Sequence, residues 1–262
     1  MNNLYRIYLD QFFEKILYYT HISGRINKVF QKDVDLYSQK GSDIDFISAL
    51  IISDWTASTE DGWESNFRTG MVAETTKYNY VEEIEKIHSR HLCFLYAQSF
   101  ESFEKYLKDC LFDRSSRDNA IRVKAISKLP RTKRSSLSRA NMPGGDKLFE
   151  ILKIAGGKTF KEFSSNNNLD VTFKKLWEVL SEVRHAITHQ ESRIDLKKIN
   201  KSAHHLAIFN SLFKSEILSD NLILVKLDYK TFRTLLKRFT EFAFQIFKLL
   251  SVEENLEWKN ES

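Results

Sequence analysis

The sequence predicts an all-α fold. Glycine and proline are scarce among the 262 residues, at 8 and 2, so the frequent turns of a β-sandwich or barrel are missing. Apolar residues instead recur at three- and four-residue spacing through long stretches, a pattern typical of amphipathic helices. The hydrophobic fraction of 42% and the 20 Phe predict a packed globular core.

Three stretches carry the helical pattern most clearly. They run from Leu4 to Tyr19, from about residue 77 to 112, and from about Tyr229 to Ser251. Asp146 and Asp170 precede further apolar runs, and we expect both to cap helices. The run "NLILVKLD" favours a short extended segment.

The order of these stretches predicts that the chain divides into three structural parts. Residues 1–75 form an N-terminal helical extension, residues 76–252 a helical bundle domain, and residues 253–262 a C-terminal tail. The net charge of +5 permits a polyanionic partner. The N-terminus lacks the apolar core of a signal peptide, and no run approaches the roughly 20 apolar residues of a membrane span, so we expect no membrane partner.

The two cysteines indicate a reducing compartment. Cys93 and Cys110 lie on one predicted helix, which would hold them roughly 25 Å apart at about 1.5 Å of rise per residue. A disulfide requires Cα atoms within about 7 Å. We therefore expect free thiols and a cytoplasmic protein.

The stretch from Glu182 to Gln190, "EVRHAITHQ", combines two imidazoles and a guanidinium. On an ideal helix at about 100° per residue, the apolar residues from Phe173 to Ile187 share one face. Glu182, His185 and His189 lie opposite that face. Arg184 falls inside the apolar arc, about 140° from His189, although a guanidinium is almost never buried without a partner.

Three interpretations of this stretch remain open. The first is a solvated helix face with a snorkelling arginine. The second is a metal site, since Glu182 and His185 form a Glu-x-x-His element, as do Glu85 and His88, and histidines at 185 and 189 have the spacing of zinc ligands. In di-iron bundles, however, such ligands face the core, whereas this stripe opposes it.

The third interpretation is a working pair of Arg184 and His189. A histidine exchanges protons near neutrality, and an arginine offers a fork of donors to a phosphate and to the charge that develops on it. Because RNA supplies its own 2′-hydroxyl nucleophile, such a pair could cleave it without a metal. The 140° offset then requires that the helix frays before His189 or that a second subunit completes the site.

The stretch "LWEVLSEVRHAITHQESRI" resembles the motif of the HEPN superfamily (higher eukaryotes and prokaryotes nucleotide-binding), in which four to six residues separate an Arg from a His. Arg184 and His189 occupy these positions, His185 is the polar residue after the arginine, and Glu182 is the upstream acidic residue. A long helix upstream, "HLCFLYAQSFESFEKYLKDCLF", and another downstream match the arrangement of a HEPN bundle. The resemblance covers about residues 76–250.

The resemblance implies a HEPN-like helical bundle with an N-terminal helical extension. It implies a metal-independent endoribonuclease of a toxin–antitoxin or antiviral defence system, which acts as a homodimer without a cofactor and answers to an antitoxin or other regulatory protein. Arg184 would hold the phosphate and His189 would assist attack by the 2′-hydroxyl, with Glu182 and His185 in support. The alternative is a non-catalytic HEPN module that binds RNA, nucleotide or a protein partner.

A basic stretch adds a candidate RNA-binding surface. Residues 119–145 contain seven Lys or Arg residues and no Asp or Glu, which suits a polyanionic backbone. Aromatic side chains that could stack on bases are absent, so contacts would be mainly electrostatic. The residues expected to contact RNA are Lys128, Arg131, Lys133, Arg134 and Arg139.

Overall fold

The computed structural model describes residues 3–37, 45–54, 56 and 66–259. Within these residues the chain is mostly helical, as predicted, with five short strands that the all-α expectation did not include. The helices are α1 (Leu4–Tyr37), α2 (Tyr80–Arg117), α3 (Asn119–Lys128), α4 (Gly145–Ala155), α5 (Gly157–Ser165), α6 (Phe173–His189), α7 (Leu196–Ile199), α8 (Ala203–Leu212) and α9 (Tyr229–Glu253). The strands are β1 (Asp45–Ser53), β2 (Asn66–Thr76), β3 (Arg193–Asp195), β4 (Lys214–Ser219) and β5 (Leu222–Lys226).

The backbone divides into two compact units. The first, here the helical unit, combines Met1–Gly24 with Ser89–Ser262, and the second, the hairpin unit, is Arg25–His88. This division differs from the predicted boundaries near 75 and 252, because the first turns of α1 belong with the helices that follow residue 88. Both α1 and α2 therefore contribute residues to each unit.

The helical unit is built around aromatic packing on α6. Trp177 is fully buried, with its ring 5.2 Å from that of Phe100 on α2 and 5.5 Å from that of Phe149 on α4. Tyr96 on α2 donates a hydrogen bond of 2.7 Å to the carbonyl of Leu180, so its buried hydroxyl is satisfied. Burying each large apolar side chain contributes roughly 1.5–3 kcal/mol, and this packing fixes the orientation of α6.

Neither Asp146 nor Asp170, the two expected helix caps, is the N-cap residue of its helix. Thr172 caps α6 by accepting a hydrogen bond from the Lys175 amide, while Asp170 adopts a left-handed conformation at φ 51° two residues earlier. An aspartate tolerates that conformation in a turn better than most residues. Gly144 precedes α4, and Asp146 lies in the first helical turn, where an acidic side chain favours the helix dipole.

The predicted tail contains an anchored residue. Glu254, which ends α9, forms ion pairs with Arg114 and Arg117 of α2 and accepts a hydrogen bond from the Tyr5 hydroxyl of α1. Farther along, the ring of Trp258 lies 6.4 Å from that of Phe244. The described part of this segment therefore packs on the helical unit.

Strands β1 and β2 form an antiparallel hairpin within residues expected to be helical. The expectation was wrong there because an apolar run with many β-branched residues, such as "FISALII", suits either element. The second sheet has the order β3-β5-β4. Its central strand β5 confirms the extended segment predicted from "NLILVKLD".

A search of the described helices for a membrane-spanning segment finds none with the required length and apolar character.

Candidate active site

Helix α6 keeps its hydrogen bonding to its C-terminal end. The amide of Gln190 donates to the carbonyl of Ala186 at 2.9 Å, and the Ser192 amide donates to the same carbonyl at 3.0 Å. The helix therefore does not fray before His189, and one of the two explanations for the angular offset is wrong. Arg184 and His189 remain about 140° apart around the helix, with a rise of roughly 7.5 Å between them.

Arg184 lies against α2, on the side that the helical wheel predicted. Its Nη2 atom is 3.3 Å from Oε1 of Glu101, and its guanidinium lies 5.9 Å from the ring centroid of Phe100. The Nε atom is buried and has no hydrogen-bond partner among the described residues. The Arg184 side chain is 29% exposed and that of Glu101 is 57% exposed, so a polyanion could displace the carboxylate.

The two histidines lie on the opposite, exposed side of α6. The ring centroids of His185 and His189 are 4.9 Å apart, as expected for side chains one helical turn apart. Glu182 does not contact either ring through a hydrogen bond in the described structure; its Oε1 atom lies 3.2 Å from Nζ of Lys198 on α7. The predicted supporting residues thus face solvent and α7, while Arg184 faces α2.

A sharp turn after α6 creates a groove beside His189. Glu191 and Ser192 both have positive φ, at 53° and 67°, a strained conformation for non-glycine residues. Two hydrogen bonds hold Ser192 in place. The Val225 amide donates to the Ser192 carbonyl at 2.9 Å, and Nη1 of Arg90 donates to the Ser192 hydroxyl at 3.3 Å. This turn leads directly into β3.

The shallow groove has a volume of about 520 Å³. It is lined by His189, Gln190, Glu191, Arg193, Asp195, Lys198 and Leu222. Arg193 and Lys198 place two cations beside the histidine, although Glu191 and Asp195 offset part of their charge. The sequence did not reveal these cations, because the turn that brings β3 and α7 beside α6 has no recognisable spacing.

Arg139 of the basic stretch has a structural role. Its guanidinium forms ion pairs with Asp113 and, at 3.2 Å, with Asp109, both on α2, and it donates to the Tyr8 hydroxyl at 2.7 Å. It also lies 5.1 Å from the ring centroids of Tyr8 and Phe112. These contacts tie the loop to α1 and α2, while the Arg139 side chain remains 43% exposed.

The remaining predicted RNA-binding residues surround the end of α3. Arg134 donates to the carbonyls of Leu129 and Ser127, at 3.1 and 3.3 Å, and so caps α3. Lys128 and Lys133 line a second shallow groove of about 520 Å³, and Arg131 is exposed. The predicted basic surface therefore holds fewer available cations than the sequence suggests.

A buried histidine joins α6 to α8. Nε2 of His205 is 2.8 Å from Oε2 of Glu178, and its Nδ1 is 2.8 Å from the hydroxyl of Ser202, which caps α8. Burial raises the pKa of the Glu178 carboxyl, but the hydrogen bond with His205 and the charges of nearby lysines outweigh this, and the net pKa lies below its ordinary value. Because Ser202 also accepts the His205 amide, we assign the cluster a structural role.

The metal interpretation requires several His, Cys, Asp or Glu side chains to lie close together. No group of three or more His, Cys, Asp or Glu side chains there is arranged to hold a metal ion. His91 has a buried Nε2 atom with no hydrogen-bond partner among the described residues, and burial lowers the pKa of its imidazole. The Glu182 carboxylate is instead engaged by Lys198.

Comparison with known proteins finds no matching family model, no matching curated protein and no matching solved structure.

Proposed function

We propose that the chain is an endoribonuclease that cleaves RNA without a metal, with Arg184 and His189 as its catalytic residues and with a site completed by a second copy. The observation that carries the proposal is the position of His189. It lies exposed at the end of an intact helix, in a groove that also contains Arg193 and Lys198. A base, two cations and room for a backbone are the requirements for binding and cleaving a phosphodiester.

In this proposal the RNA 2′-hydroxyl attacks the adjacent phosphorus, and the bond from phosphorus to the 5′-oxygen breaks. His189 of one copy accepts the proton of the 2′-hydroxyl and returns it to the departing 5′-oxygen, and Arg184 of the other copy holds the phosphoryl oxygens as charge develops on them. The products are a 2′,3′-cyclic phosphate and a 5′-hydroxyl. The intact α6 makes a composite site the simpler arrangement, because the two side chains of one chain diverge.

Glu101 is a competitor for the phosphate in this proposal. Its carboxylate forms an ion pair with the Arg184 guanidinium at 3.3 Å, so an RNA phosphate has to displace the carboxylate. An exposed ion pair contributes ~0.5–1 kcal/mol. Replacing Glu101 by Gln should therefore strengthen binding of a non-cleavable 2′-O-methyl RNA about two- to fivefold.

The Arg184–Glu101 pair also favours a second candidate, a HEPN module that binds RNA, nucleotide or a protein partner without cleaving RNA. In that case the arginine stabilises packing of α6 on α2, and His189 is a surface residue. A defence or toxin role, a regulatory partner such as an antitoxin and a cytoplasmic location belong to the same proposal and rest on the resemblance.

The test is RNA cleavage in EDTA by the wild type, Arg184→Ala and His189→Ala. Arg233→Ala and His204→Ala, changes of the same residue types outside the groove and the basic stretch, are the matched controls. The proposal expects at least a hundredfold loss in both site variants, the order of a general-base contribution, with helicity intact by circular dichroism. Cleavage that survives His189→Ala would exclude the pair, and binding without cleavage by the wild type would support the second candidate.

A further inference from the structure

A cavity lies between the start of α6 and the middle of α9. Its volume is about 370 Å³, within the range of small-molecule sites, about 300–1,000 Å³. The cavity belongs to the helical unit alone, since its lining comes from residues 166–176 and 238–245. Leu176 lies roughly 20 Å along α6 from His189, so this cavity is separate from the candidate active site.

Buried apolar side chains form the floor of the cavity. Phe173 and Leu176 of α6 and Phe242 of α9 line it and are almost fully buried. The ring centroids of Phe173 and Phe242 lie 5.1 Å apart at an interplanar angle of 59°. Leu169 and Val171 add an apolar wall from the loop before α6. A further aromatic ring packs favourably on tilted rings of this kind.

The side chain of Asn167 fixes the loop that forms this wall. Its Nδ2 donates to the carbonyls of Val171 at 2.8 Å and Ser164 at 3.2 Å, and its Oδ1 accepts from the Leu169 amide at 3.1 Å. The Ser164 hydroxyl accepts a hydrogen bond from the Phe173 amide at 3.0 Å, which ties the start of α6 to α5. The cavity is therefore preformed, and a ligand would order few groups on binding.

Polar side chains of α9 line the side opposite this loop. Arg238, Glu241 and Gln245 follow one another at three- and four-residue spacing and so share one face of the helix. Nη1 of Arg238 donates to Oε2 of Glu241 at 2.6 Å, its one hydrogen bond to a described residue, although a guanidinium has five N–H donors. The half-buried amide of Gln245 has no hydrogen-bond partner in the part of the chain that the structure describes. Unused donors thus lie beside an apolar floor.

We propose that this cavity binds a small planar aromatic carboxylic acid, with its carboxylate on Arg238 and a hydroxyl at its other end on Gln245. A guanidinium fork matches a carboxylate, and an amide can donate to a hydroxyl or accept from it. The two residues lie about 10.5 Å apart along the helix axis, a separation that suits an elongated ligand with one polar group at each end. This inference does not rest on the ribonuclease proposal.

Other ligand classes fit the cavity less well. A nucleic-acid backbone favours a row of cations, whereas Arg238 is the only cation among the described lining residues and Glu241 would repel phosphates. A metal ion favours several carboxylate or imidazole ligands, and Glu241 is the only such side chain in the described lining. A planar aromatic acid uses both the apolar floor and the donors of α9.

Binding of p-coumarate to the isotope-labelled full chain, followed by NMR, tests the proposal. This acid carries a carboxylate and a hydroxyl at opposite ends. It should shift the side-chain amide signal of Gln245 in a saturable way, with a dissociation constant on the order of a millimolar. The uncharged analogue p-coumaramide should bind about tenfold more weakly, because a hydrogen bond to a charged group is the stronger one.

Charge variants of α9 test the contact with the carboxylate. Arg238→Gln should weaken p-coumarate binding about tenfold. Glu241→Gln should strengthen it about two- to fivefold, because the competing carboxylate is removed, and a gain in affinity cannot come from misfolding. Arg233→Gln, an exposed change on α9 outside the cavity, is the matched control and should leave binding unchanged.

The contact at the other end is tested with cinnamate, which lacks the hydroxyl. The wild type should bind p-coumarate about threefold or more tightly than cinnamate, the order of one neutral hydrogen bond. Gln245→Leu should remove this preference and leave the affinity for cinnamate almost unaltered, which a general loss of structure would not do.

Three outcomes would overturn the proposal. One is the absence of a saturable shift at Gln245 with millimolar p-coumarate. Another is equal affinity for p-coumarate and p-coumaramide, which would make the cavity an apolar site that does not recognise an acid. The third is a Glu241→Gln variant that binds p-coumarate no more tightly than the wild type, which would place the carboxylate away from Arg238.

Discussion

The helical unit and the hairpin unit differ in the burial of their apolar side chains. On α6 the apolar side chains, such as Trp177, are fully buried, and the exposed positions carry His185 and His189. On β1 the isoleucines are exposed on both faces. The first region buries its apolar side chains and leaves polar chemistry outside, whereas the second leaves large apolar side chains exposed.

Because of this difference, substitutions in the two regions should have different effects on the free energy of unfolding. Stability of the helical unit depends on packing and on a few buried polar contacts, so substitutions there should change the free energy of unfolding. Substitutions at the exposed positions of β1 should leave the free energy of unfolding almost unaltered. The following four predictions test this difference, beginning with the largest effect.

Trp177→Ala should lower the free energy of unfolding by about 3–5 kcal/mol, since it removes a fully buried aromatic ring and leaves a cavity. Urea unfolding monitored by circular dichroism measures the change. Trp258→Ala, at a half-buried ring near the C-terminus, is the control and should cost about 1 kcal/mol. Equal losses at the two positions would contradict the placement of the core around α6.

Glu254→Gln should lower the free energy of unfolding by ~2 kcal/mol at neutral pH, because it leaves Arg114 and Arg117 without their partner. Glu257→Gln, an exposed change three residues away, is the control. Urea titrations of both variants beside the wild type provide the measurement. A loss in the control as large as that of Glu254→Gln would exclude a specific network.

The same carboxylate predicts a dependence on pH. Burial raises the pKa of Glu254, but hydrogen bonds from Arg117, Tyr5 and Arg114 outweigh it and depress the pKa below its ordinary value. A depressed pKa stabilises the fold fully above the unfolded value of ~4.3, and this contribution is lost as pH falls from there through the folded value. Glu254→Gln should therefore be less sensitive than the wild type to acid in that window.

Ile51→Thr on β1 should change the free energy of unfolding of the monomer by less than about 0.5 kcal/mol, since the side chain is already in water. Ile194→Thr makes the same change at a fully buried strand position and should cost about 2 kcal/mol or more. Urea unfolding monitored by circular dichroism measures both. A large loss with Ile51→Thr would show that the hairpin buries its apolar face within one chain.

The sequence located α6 and its faces because helical periodicity is a local property. The spacing from Phe173 to Ile187 predicted the buried face, and the same spacing placed Arg184 on that face, which the structure shows against α2. It failed at β1, since a short apolar run is compatible with helix and strand alike. It gave no sign of the contacts of Arg139, because its partners Tyr8 and Asp109 are distant in sequence.

By itself the sequence determined the helical character of most of the chain, the positions of its long helices and the placement of Arg184 and His189 on different sides of one of them. These follow from spacing within a helix, which needs no other part of the chain. Only the tertiary structure decided that Glu101 forms an ion pair with Arg184 and that Arg193 and Lys198 flank His189. It also decided that the apolar side chains of β1 are exposed. Such contacts depend on how separate elements pack, and no local pattern encodes that.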